Sequence, residues 1–257
     1  MDITNKHILI TGANRGIGKA FAEVCAKEKA HLLIAIRKTD PQLIKELNQA
    51  GAASVEIIEA DLSTREGVET LIQHLQPKKI DLLFNNAGQL TGGLIEQQKI
   101  DDIYKMFQVN INALVHLSHA VIPKMIKQKS GKIINHSSVS AVMHFPCAST
   151  YAASKAAVWA FTDCIQQELK GTGVSTLCLF TPGIKTRMFD EIDVLYSKNI
   201  EVPKDYILPE EYAAKILNAV QKDWTYLEPT GATGAAFAMA KYARGVFNWG
   251  VSKGFKR

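Results

Sequence analysis

A tyrosine and a lysine on one helix face are the residues of this chain best suited to chemistry. Tyr151 and Lys155 stand four residues apart, about one helical turn, so on a helix both side chains project from the same side. The free phenol has a pKa of about 10, too high for proton transfer at neutral pH, and a nearby ammonium favours the phenolate. Ser138 ends an apolar strand-like run upstream, and its hydroxyl could hold a carbonyl oxygen. The trio predicts acid–base chemistry at a carbonyl or alcohol; the alternative is an ordinary surface tyrosine and lysine.

A glycine-rich turn near the start of the chain predicts a dinucleotide site. The apolar run 7–10 leads into the sequence TGANRGIG at 11–18, and a helix-like pattern follows. Between a strand and a helix, such glycines bring dinucleotide phosphates to the positive helix end. Gly12 would permit the tight turn, Gly16 would admit the phosphates, and Gly18 would let helix and strand pack closely. A glycine cluster alone would equally suit an ordinary turn.

Together these motifs resemble the short-chain dehydrogenase/reductase family, from the first strand to about residue 227. Its TGxxxGxG turn and YxxxK pair occur in the family's order with the further motifs Asp61-Leu62, Asn85-Asn86-Ala87-Gly88, Asn110, Ser138 and Pro182-Gly183-x-x-Thr186. The thirteen-residue step from Ser138 to Tyr151 is also the family's, and it alone favours Ser138 over the adjacent Ser137.

The chain alternates strand-like and helix-like runs, which predicts an α/β fold. We expect a single Rossmann-like, doubly wound parallel sheet of about seven strands with helices on both faces; the resemblance implies strand order 3-2-1-4-5-6-7 and a site at the carboxyl ends. The expected strands are His7–Thr11, His31–Ile36, Val55–Glu59, Leu82–Asn85, Lys132–Asn135, Val174–Phe180 and Trp224–Leu227. The expected helices are Gly16–Lys29, Pro41–Gly51, Thr64–Leu75, Ile100–Met125, Ala152–Lys170 and Pro209–Lys222.

We expect one catalytic domain over residues 1–228, with a substrate lid at about 184–206, and a basic amphipathic extension over 229–257. The extension holds five basic residues and no acidic one, so it accounts for the whole net charge of +5. On a helical wheel Lys241 and Arg244 fall opposite Met239 and Val246. It could touch an anionic membrane weakly, cover the substrate pocket or pack across a dimer partner.

The resemblance implies a catalytic set of Asn110, Ser138, Tyr151 and Lys155. Tyr151 would donate a proton to the developing alkoxide and Ser138 would stabilise that oxygen. Lys155 would lower the tyrosine pKa and hold the nicotinamide ribose hydroxyls. Asn110 would bind a water that links Lys155 to solvent, although a mid-helix asparagine can simply bond to backbone.

The resemblance also implies the residues that bind a nicotinamide cofactor. They are Gly12, Asn14, Arg15, Gly16, Ile17, Gly18, Arg37, Lys38, Asp61, Leu62, Asn86, Ala87, Gly88, Tyr151, Lys155, Pro182, Gly183, Ile184 and Thr186. Arg37 and Lys38 follow the second strand, where a guanidinium favours a 2′-phosphate and a carboxylate would repel it. We therefore expect NADP(H) rather than NAD; the alternative for Arg37 is a solvated loop. Asp40 there is better placed as a helix cap, and Asp61 could also cap a helix.

The substrate is predicted to be a small hydrophobic ketone or aldehyde, which NADPH reduces to an alcohol. Because hydride transfer is reversible, a hydrophobic secondary alcohol is the expected substrate of the opposite direction. The expected lining is apolar and some of it could be core: Leu90, Val142, Met143, Phe145, Met188, Phe189, Leu195 and Tyr196. A catalytically silent NADP(H) sensor is the alternative, against which the intact Tyr151 and Lys155 argue. A sugar epimerase or dehydratase would carry a differently spaced glycine motif.

Composition and the absence of other motifs narrow the class of protein further. Apolar residues at 47% and charged residues at 21% of 257 describe an ordinary globular protein. The sequence holds no nucleic-acid motif, no signal-peptide pattern and no apolar run near the ~20 residues of a membrane span, and its four cysteines lack metal-ligand spacing. We expect a cytoplasmic protein without a metal or nucleic-acid partner. The resemblance implies a homodimer or homotetramer.

Overall fold

The computed structural model describes residues 1–200 and 205–257, and its centre is a sheet of parallel strands. Seven strands of this part of the chain pair in the order β3-β2-β1-β4-β5-β6-β7, every pair parallel. The strands are β1 His7–Thr11, β2 His31–Ile36, β3 Ser54–Glu59, β4 Leu82–Asn85, β5 Gly131–His136, β6 Val174–Leu179 and β7 Tyr226–Leu227. The predicted doubly wound sheet is confirmed, and only the last strand is clearly shorter than expected.

Helices cover both faces of this sheet. They are α1 Gly16–Lys27, α2 Pro41–Gln49, α3 Arg65–Leu75, α4 Ile100–Phe107, α5 Ala113–Gln128, α6 Ser149–Glu168, α7 Arg187–Tyr196, α8 Pro209–Gln221, α9 Gly231–Tyr242 and α10 Arg244–Gly254. The prediction of one helix over Ile100–Met125 is wrong, because a π-helical turn at Gln108–Asn112 separates α4 from α5. Such turns widen the helix locally and recur at functional sites, and Asn110 lies inside this one.

Local chemistry explains where several helices begin. The Asp40 carboxylate accepts hydrogen bonds from the N–H groups of Gln42 and Leu43 (3.0 and 3.3 Å), so the predicted cap of α2 is confirmed. Pro41 and Pro209 occupy the first positions of α2 and α8, where no intrahelical N–H is needed.

Two apolar cores lie on opposite faces of the sheet. Helices α1, α2 and α8 cover one face through residues such as Phe21, Leu47 and Ile216, and α3, α5 and α6 cover the other through Leu71, Val121 and other buried residues. The strand order runs outward in both directions from β1 and β4. Such a reversal opens a crevice at the carboxyl ends of those two strands.

A buried polar network underlies that crevice. Asn85 Nδ2 donates to Asn135 Oδ1 (2.9 Å) and Ser118 Oγ (3.2 Å), and Asn135 Nδ2 donates to Thr162 Oγ1 (3.0 Å). These bonds join β4 and β5 to α5 and α6. The strand ends and the helix that carries Tyr151 are thereby held in one arrangement.

The C-terminal helices pack against the protein through aromatic side chains. Phe237 and Phe247 are buried in a cluster with Phe180, whereas Met239 and Val246 are 45% and 58% exposed. The predicted apolar face of the extension is therefore wrong. The helix breaks at Ala243, where φ is −129° and ψ is 48°, so residues on either side do not share one helical wheel. Within the described residues, none of the helices has the length and apolar character needed to cross a membrane.

Candidate active site

Asn86 fastens the glycine turn to the end of β4. Its side-chain Nδ2 donates to the carbonyl groups of Thr11 (2.8 Å) and Gly12 (3.1 Å). In return, Thr11 Oγ1 accepts hydrogen bonds from the N–H groups of Asn86 (3.0 Å) and Ala87 (2.9 Å). The two strand ends that the sequence predicted to form a cofactor groove are thus held side by side.

Close backbone approach explains the glycines of this turn. Gly12 has φ +68°, and a Cβ there would lie 3.0 Å from Ala87 Cα. A Cβ at Gly18 would lie 2.7 Å from the Gly12 carbonyl oxygen, so helix α1 could not pack as closely on β1. Among the described residues, no side chain caps the first turn of α1, and its N–H groups are suited to an anion such as a pyrophosphate.

Arg15 and Arg37, two of the predicted cofactor residues, line one cleft at this edge of the sheet. Both side chains are exposed, as is Lys38 beside Arg37. Arg37 lies near enough to Asp61 to help lower the pKa of that carboxyl, after the larger effect of the Ser63 N–H group. Two basic groups of this cleft are therefore open to an anionic ligand.

Asp61 stabilises a turn and does not cap the next helix. Its carboxylate accepts from the N–H (3.0 Å) and the hydroxyl (2.8 Å) of Ser63. The cap of α3 is Thr64, whose hydroxyl accepts from the N–H of Gly67 at 3.0 Å. The alternative of Asp61 as the helix cap is wrong.

The other predicted groove residues divide into lining and packing positions. Asn14 is exposed on the turn, and Gly88 lies beside Lys155, whose Nζ would be 3.7 Å from a Cβ at that glycine. Ile17 and Leu62 are 9% and 7% exposed and belong to the two apolar cores.

Two hydroxyl groups meet at the carboxyl end of β5. Ser138 follows the strand, and its hydroxyl lies beside that of Tyr151, where the contact acts to lower the tyrosine pKa. Ser138 Oγ also accepts from the N–H of Ser140 at 3.1 Å. Ser137, in contrast, is fully buried and donates to the backbone carbonyl of Lys155 at 2.8 Å. The structure places Ser138, and not Ser137, beside the tyrosine.

Lys155 lies beneath Tyr151 on α6, with its ammonium directed at the end of β5. Its Nζ donates to the carbonyl oxygen of His136 at 2.7 Å and lies 5.7 Å from the centroid of the Tyr151 ring. The side chain is 4% exposed, and burial lowers the pKa of Lys155 to about 8. At neutral pH this leaves a charged ammonium within the site.

Burial and one neighbouring hydroxyl determine the pKa of Tyr151 in this structure. Burial raises the pKa of Tyr151 to about 12, and only the Ser138 hydroxyl acts against that rise. Loss of hydration penalises the phenolate. Tyr151 therefore holds its proton at neutral pH and can act as an acid. The lowering of the tyrosine pKa by Lys155 stays a prediction.

The Asn110 side chain is fully used by neighbouring protein groups. Its Oδ1 accepts from the N–H of Gln89 (2.8 Å), and its Nδ2 donates to the Gln89 carbonyl (3.0 Å) and to Ser154 Oγ (3.0 Å). These bonds fix the segment after Gly88 against α6. A water relay through Asn110 stays a prediction, and these contacts match the alternative that the side chain bonds to backbone.

Residues Pro182, Gly183, Ile184 and Thr186 connect β6 to α7. The N–H of Lys185 donates to the Ile207 carbonyl (3.0 Å), and the N–H of Ile207 donates to the Gly183 carbonyl (2.9 Å). The two ends of the predicted lid at 184–206 are thus joined; residues 201–204 lie outside the described residues. The Thr186 methyl packs against the glycine turn, 3.2 Å from where a Cβ at Gly16 would lie.

The predicted substrate-lining residues fall into two groups. Leu90, Leu195 and Tyr196 pack together beside Cys147, and Leu90, Met188 and Leu195 also line the cleft that contains the arginines. Val142 and Met143 instead belong to the core under α9 and α10, as the alternative stated. Phe145 touches both clusters, and Phe189 packs beneath Gly183, 2.9 Å from where its Cβ would lie.

The C-terminal segment reaches this apolar wall. Phe255 packs in the cluster that contains Tyr196. The N–H of Lys256 donates to the Asn199 carbonyl (2.7 Å), and Asn199 Nδ2 donates to the Lys256 carbonyl (2.8 Å). Arg257 forms an exposed ion pair with Glu96 (2.8 Å). These four contacts, which we call the C-terminal clasp, join the end of α7 to the loop before α4.

Sequence motifs did not identify two residues that contribute to the site, His136 and Asn199. The His136 carbonyl holds Lys155, and the His136 ring stacks on Phe84 and contacts Asn86 Oδ1 at 3.2 Å. Burial, with help from Lys155, lowers the pKa of His136 to about 3, so the ring is neutral. Asn199, the partner of the clasp, has no motif. No sequence spacing distinguishes either residue, since their contacts span distant parts of the chain.

Comparison with known proteins shows that the chain belongs to the short-chain dehydrogenase family. A family model described as short chain dehydrogenase matches residues 6–194. An uncharacterised oxidoreductase from Staphylococcus saprophyticus is 33% identical over 227 residues, which is 86% of this chain and 92% of that protein. The protein is therefore an oxidoreductase of this family, as the sequence motifs predicted.

Solved structures of the family share the fold. A short-chain dehydrogenase/reductase from Burkholderia phymatum in complex with NAD has a TM-score of 0.83 at 24% identity, covering 97% of this chain and 96% of that one. L-Sorbose reductase from Gluconobacter frateurii, complexed with NADPH and L-sorbose, has a TM-score of 0.74 at 24% identity, covering 85% and 91%. The family uses NAD(P)(H), and its members generally act on small carbonyl or alcohol compounds and form oligomers.

Proposed function

We propose that this protein is an NADPH-dependent reductase of small hydrophobic ketones or aldehydes. The observation that carries the proposal is the meeting of the Ser138 and Tyr151 hydroxyls above the buried ammonium of Lys155. Two hydroxyls that converge can hold one carbonyl oxygen between them. The phenol keeps its proton at neutral pH, because burial raises the pKa of Tyr151 to about 12, and this suits protonation of an alkoxide.

The residues around the crevice fit a nicotinamide dinucleotide. The uncapped first turn of α1 would hold the pyrophosphate, and Asn86, Ala87 and Gly88 would pass along the ribose. The bound cofactor supplies or accepts a hydride. Gly183, Ile184 and Thr186 would hold its carboxamide end, since they begin the lid beside the glycine turn.

NADP(H) is preferred over NAD(H) in this proposal because of Arg37 and Arg15. Both guanidinium groups face one cleft and are exposed. A guanidinium can bind a 2′-phosphate in a two-pronged hydrogen-bonded pair, which a ribose hydroxyl does not offer. Cells are expected to hold this cofactor mostly reduced, so carbonyl reduction is the proposed direction.

The apolar wall of Leu90, Leu195 and Phe145 supports a hydrophobic substrate. We place the protein in the cytoplasm and expect a homodimer or homotetramer that uses α6 and α8. Contact with a membrane is a weaker proposal, because two of the five cations of the extension are paired within the protein: Lys241 with Glu228 (3.0 Å), and Arg257 with Glu96 (2.8 Å).

The test is the decrease in NADPH absorbance with purified protein and a panel of hydrophobic ketones and aldehydes. Turnover with NADPH that is much weaker with NADH, and is lost in Tyr151→Phe, is the expected result. Tight NADPH binding without turnover on any compound would contradict the reductase and favour a cofactor-binding sensor. Preference for NADH would contradict the proposed role of Arg37.

A further inference from the structure

Tyr196, on the lid helix α7, carries a buried hydroxyl that the reaction outlined above does not use. The residue is 6% exposed, and its ring packs with Cys147, Ala148 and Leu90. Among the residues that the structure describes, none forms a hydrogen bond with the Tyr196 hydroxyl. A buried polar group without a partner costs stability, on the order of 1–3 kcal/mol, so its presence calls for an explanation.

The position of this hydroxyl is set by its surroundings. The ring packs against Gly92, and a Cβ at that glycine would lie 2.7 Å from the Tyr196 oxygen. Gly92 is itself fixed, because the N–H of Gly93 donates to the Cys147 carbonyl at 2.9 Å. The loop 91–93 thus leaves room for the Tyr196 phenol only because residue 92 is a glycine.

Tyr196 also lies close to the proposed catalytic tyrosine. Its ring packs in one cluster with Cys147 and Ala148, which directly precede α6 and lie four and three residues before Tyr151. Burial raises the pKa of the Tyr196 phenol, and the neighbouring Tyr151 and Cys147 raise it further. Tyr196 is therefore a neutral phenol at physiological pH and can donate a hydrogen bond. Its neighbours are otherwise apolar: Leu90, Leu94, Phe145 and Ile192.

We propose that Tyr196 is a specificity-determining residue whose hydroxyl binds a second polar group of the substrate, distinct from the reacting carbonyl. The substrate class is then narrower than a hydrophobic ketone: an apolar compound that carries one further hydrogen-bond acceptor. This inference rests on the proposed reductase function, because it needs the carbonyl to lie between Ser138 and Tyr151.

Apolar surroundings make such a contact selective. A hydrogen-bond acceptor on the substrate would give the buried Tyr196 hydroxyl a partner. An apolar group at the same point would leave that hydroxyl unpaired. A substrate without the second acceptor would leave the Tyr196 hydroxyl unpaired, and this penalty discriminates between the two kinds of substrate. Such discrimination is stronger than the shape of an apolar pocket alone provides.

The experiment compares the wild type with Tyr196→Phe on four six-carbon compounds. The probes are 2-hexanone, 2,3-hexanedione, 2,4-hexanedione and 2,5-hexanedione, in which a second oxygen moves along a constant chain. We expect the substitution to reduce kcat/KM about tenfold for at least one diketone, mainly through KM, and to leave 2-hexanone unchanged. Tyr104→Phe, at a 74% exposed phenol on α4, is the matched control and should change none of the four.

Two kinetic results and one stability result would overturn the inference. An equal loss on all four compounds would assign Tyr196 to the reacting carbonyl, and no loss on any would make it a packing residue. Tyr196→Phe should fold, since it removes only an unpartnered hydroxyl, and its Tm should equal or exceed that of the wild type. A Tm well below the wild type would show that the hydroxyl has a structural partner, which also overturns the inference.

Failure of the proposed reductase is distinguishable from failure of this inference. If neither NADPH nor NADH is oxidised with any probe, the reductase proposal fails for this series. The dissociation constants of the same four compounds, measured by saturation-transfer NMR for wild type and Tyr196→Phe, then decide the role of Tyr196. A selective loss of diketone binding supports the inference, and equal affinities contradict it.

Discussion

The ammonium of Lys155 lies 5.7 Å from the centroid of the Tyr151 ring, and its hydrogen bond at 2.7 Å goes to the His136 carbonyl. The lysine is thus a buried charge held by a backbone dipole at the end of β5. Burial lowers its pKa to about 8 from an ordinary value of 10.5. A charged group in this position reduces the stability of the fold.

We predict a pH-dependent stability gain for Lys155→Met. Below about pH 8 the lysine is charged in both the folded and the unfolded chain, so the wild type bears the full cost of burying it. Between about pH 8 and 10.5 the folded protein loses the proton while the unfolded chain keeps it, and the wild type gains stability as the pH rises. The variant's advantage in free energy of unfolding should therefore shrink by about 3 kcal/mol across this window.

Urea unfolding of wild type and variant at several pH values measures this change. Lys215→Met, at an exposed lysine on α8, is the control and should show no such trend. If the difference in free energy of unfolding between Lys155→Met and wild type stays constant from pH 7 to 10.5, Lys155 is not a buried charge with a lowered pKa.

Ser137 and Ser138 should respond to alanine substitution in opposite ways. Ser138→Ala removes a hydroxyl beside Tyr151, and we expect kcat to fall by a factor of about 100 or more, with a small decrease in Tm because the N–H of Ser140 loses its acceptor. Ser137→Ala removes a buried bond to the Lys155 carbonyl, so it should reduce the free energy of unfolding by about 1 kcal/mol. Steady-state kinetics and thermal unfolding of both variants test the pair, and a larger kcat loss in Ser137→Ala would reverse the assignment.

Arg37→Ala should weaken the binding of NADPH and leave the binding of NADH unchanged. The guanidinium is exposed at the cleft, and a charged hydrogen-bonded pair with a phosphate is worth about 1.5–3 kcal/mol, so KM for NADPH should rise roughly tenfold to a hundredfold. Arg65→Ala is the control, since Arg65 pairs with Glu69 on α3 (2.8 Å). KM values measured for both cofactors test the prediction; a parallel rise for NADH would show a general loss of cofactor binding.

Breaking the C-terminal clasp should loosen the lid helix α7. Asn199→Ala removes the side-chain hydrogen bond to Lys256, and Phe255→Ala removes packing beside Tyr196. We expect each to raise the substrate KM about fivefold and to speed proteolysis between residues 187 and 200. Arg257→Ala breaks only an exposed ion pair and should change KM less than twofold. Unchanged proteolysis in Asn199→Ala and Phe255→Ala would show that the clasp does not hold the lid.

Much of the fold was predictable because local patterns decided it. The strands are short apolar runs with glycine or polar residues after them, and Pro41 with Asp40 marks the start of α2. The resemblance carried by the motifs likewise implied a site at the carboxyl ends of the strands, and each of those motifs is a short local pattern. These features depend on residues that are close in sequence.

The remainder depends on contacts between distant residues. Asn110 lies in the π-helical turn and bonds to Gln89 and Ser154, and helical periodicity reveals neither the turn nor these bonds. The tyrosine pKa depends on burial and on the Ser138 hydroxyl, and a YxxxK spacing contains neither. In the C-terminal extension, the helix break at Ala243 changes which side chains are buried.

The amides of Asn85 and Asn135 have a consequence for how the sheet assembles. Neighbouring residues of a strand point to opposite faces, so a shift of β4 or β5 by one position would turn an amide into the apolar layer beneath α1 and α8. There it would lose its bonds to Ser118 or Thr162, at a cost of several kcal/mol. Two side chains that do no chemistry thus penalise a one-residue shift in the pairing of these strands. Folding intermediates with slipped strands should be short-lived for this reason, and the chain reaches a sheet in which Asn86 and Ser138 emerge at the same edge.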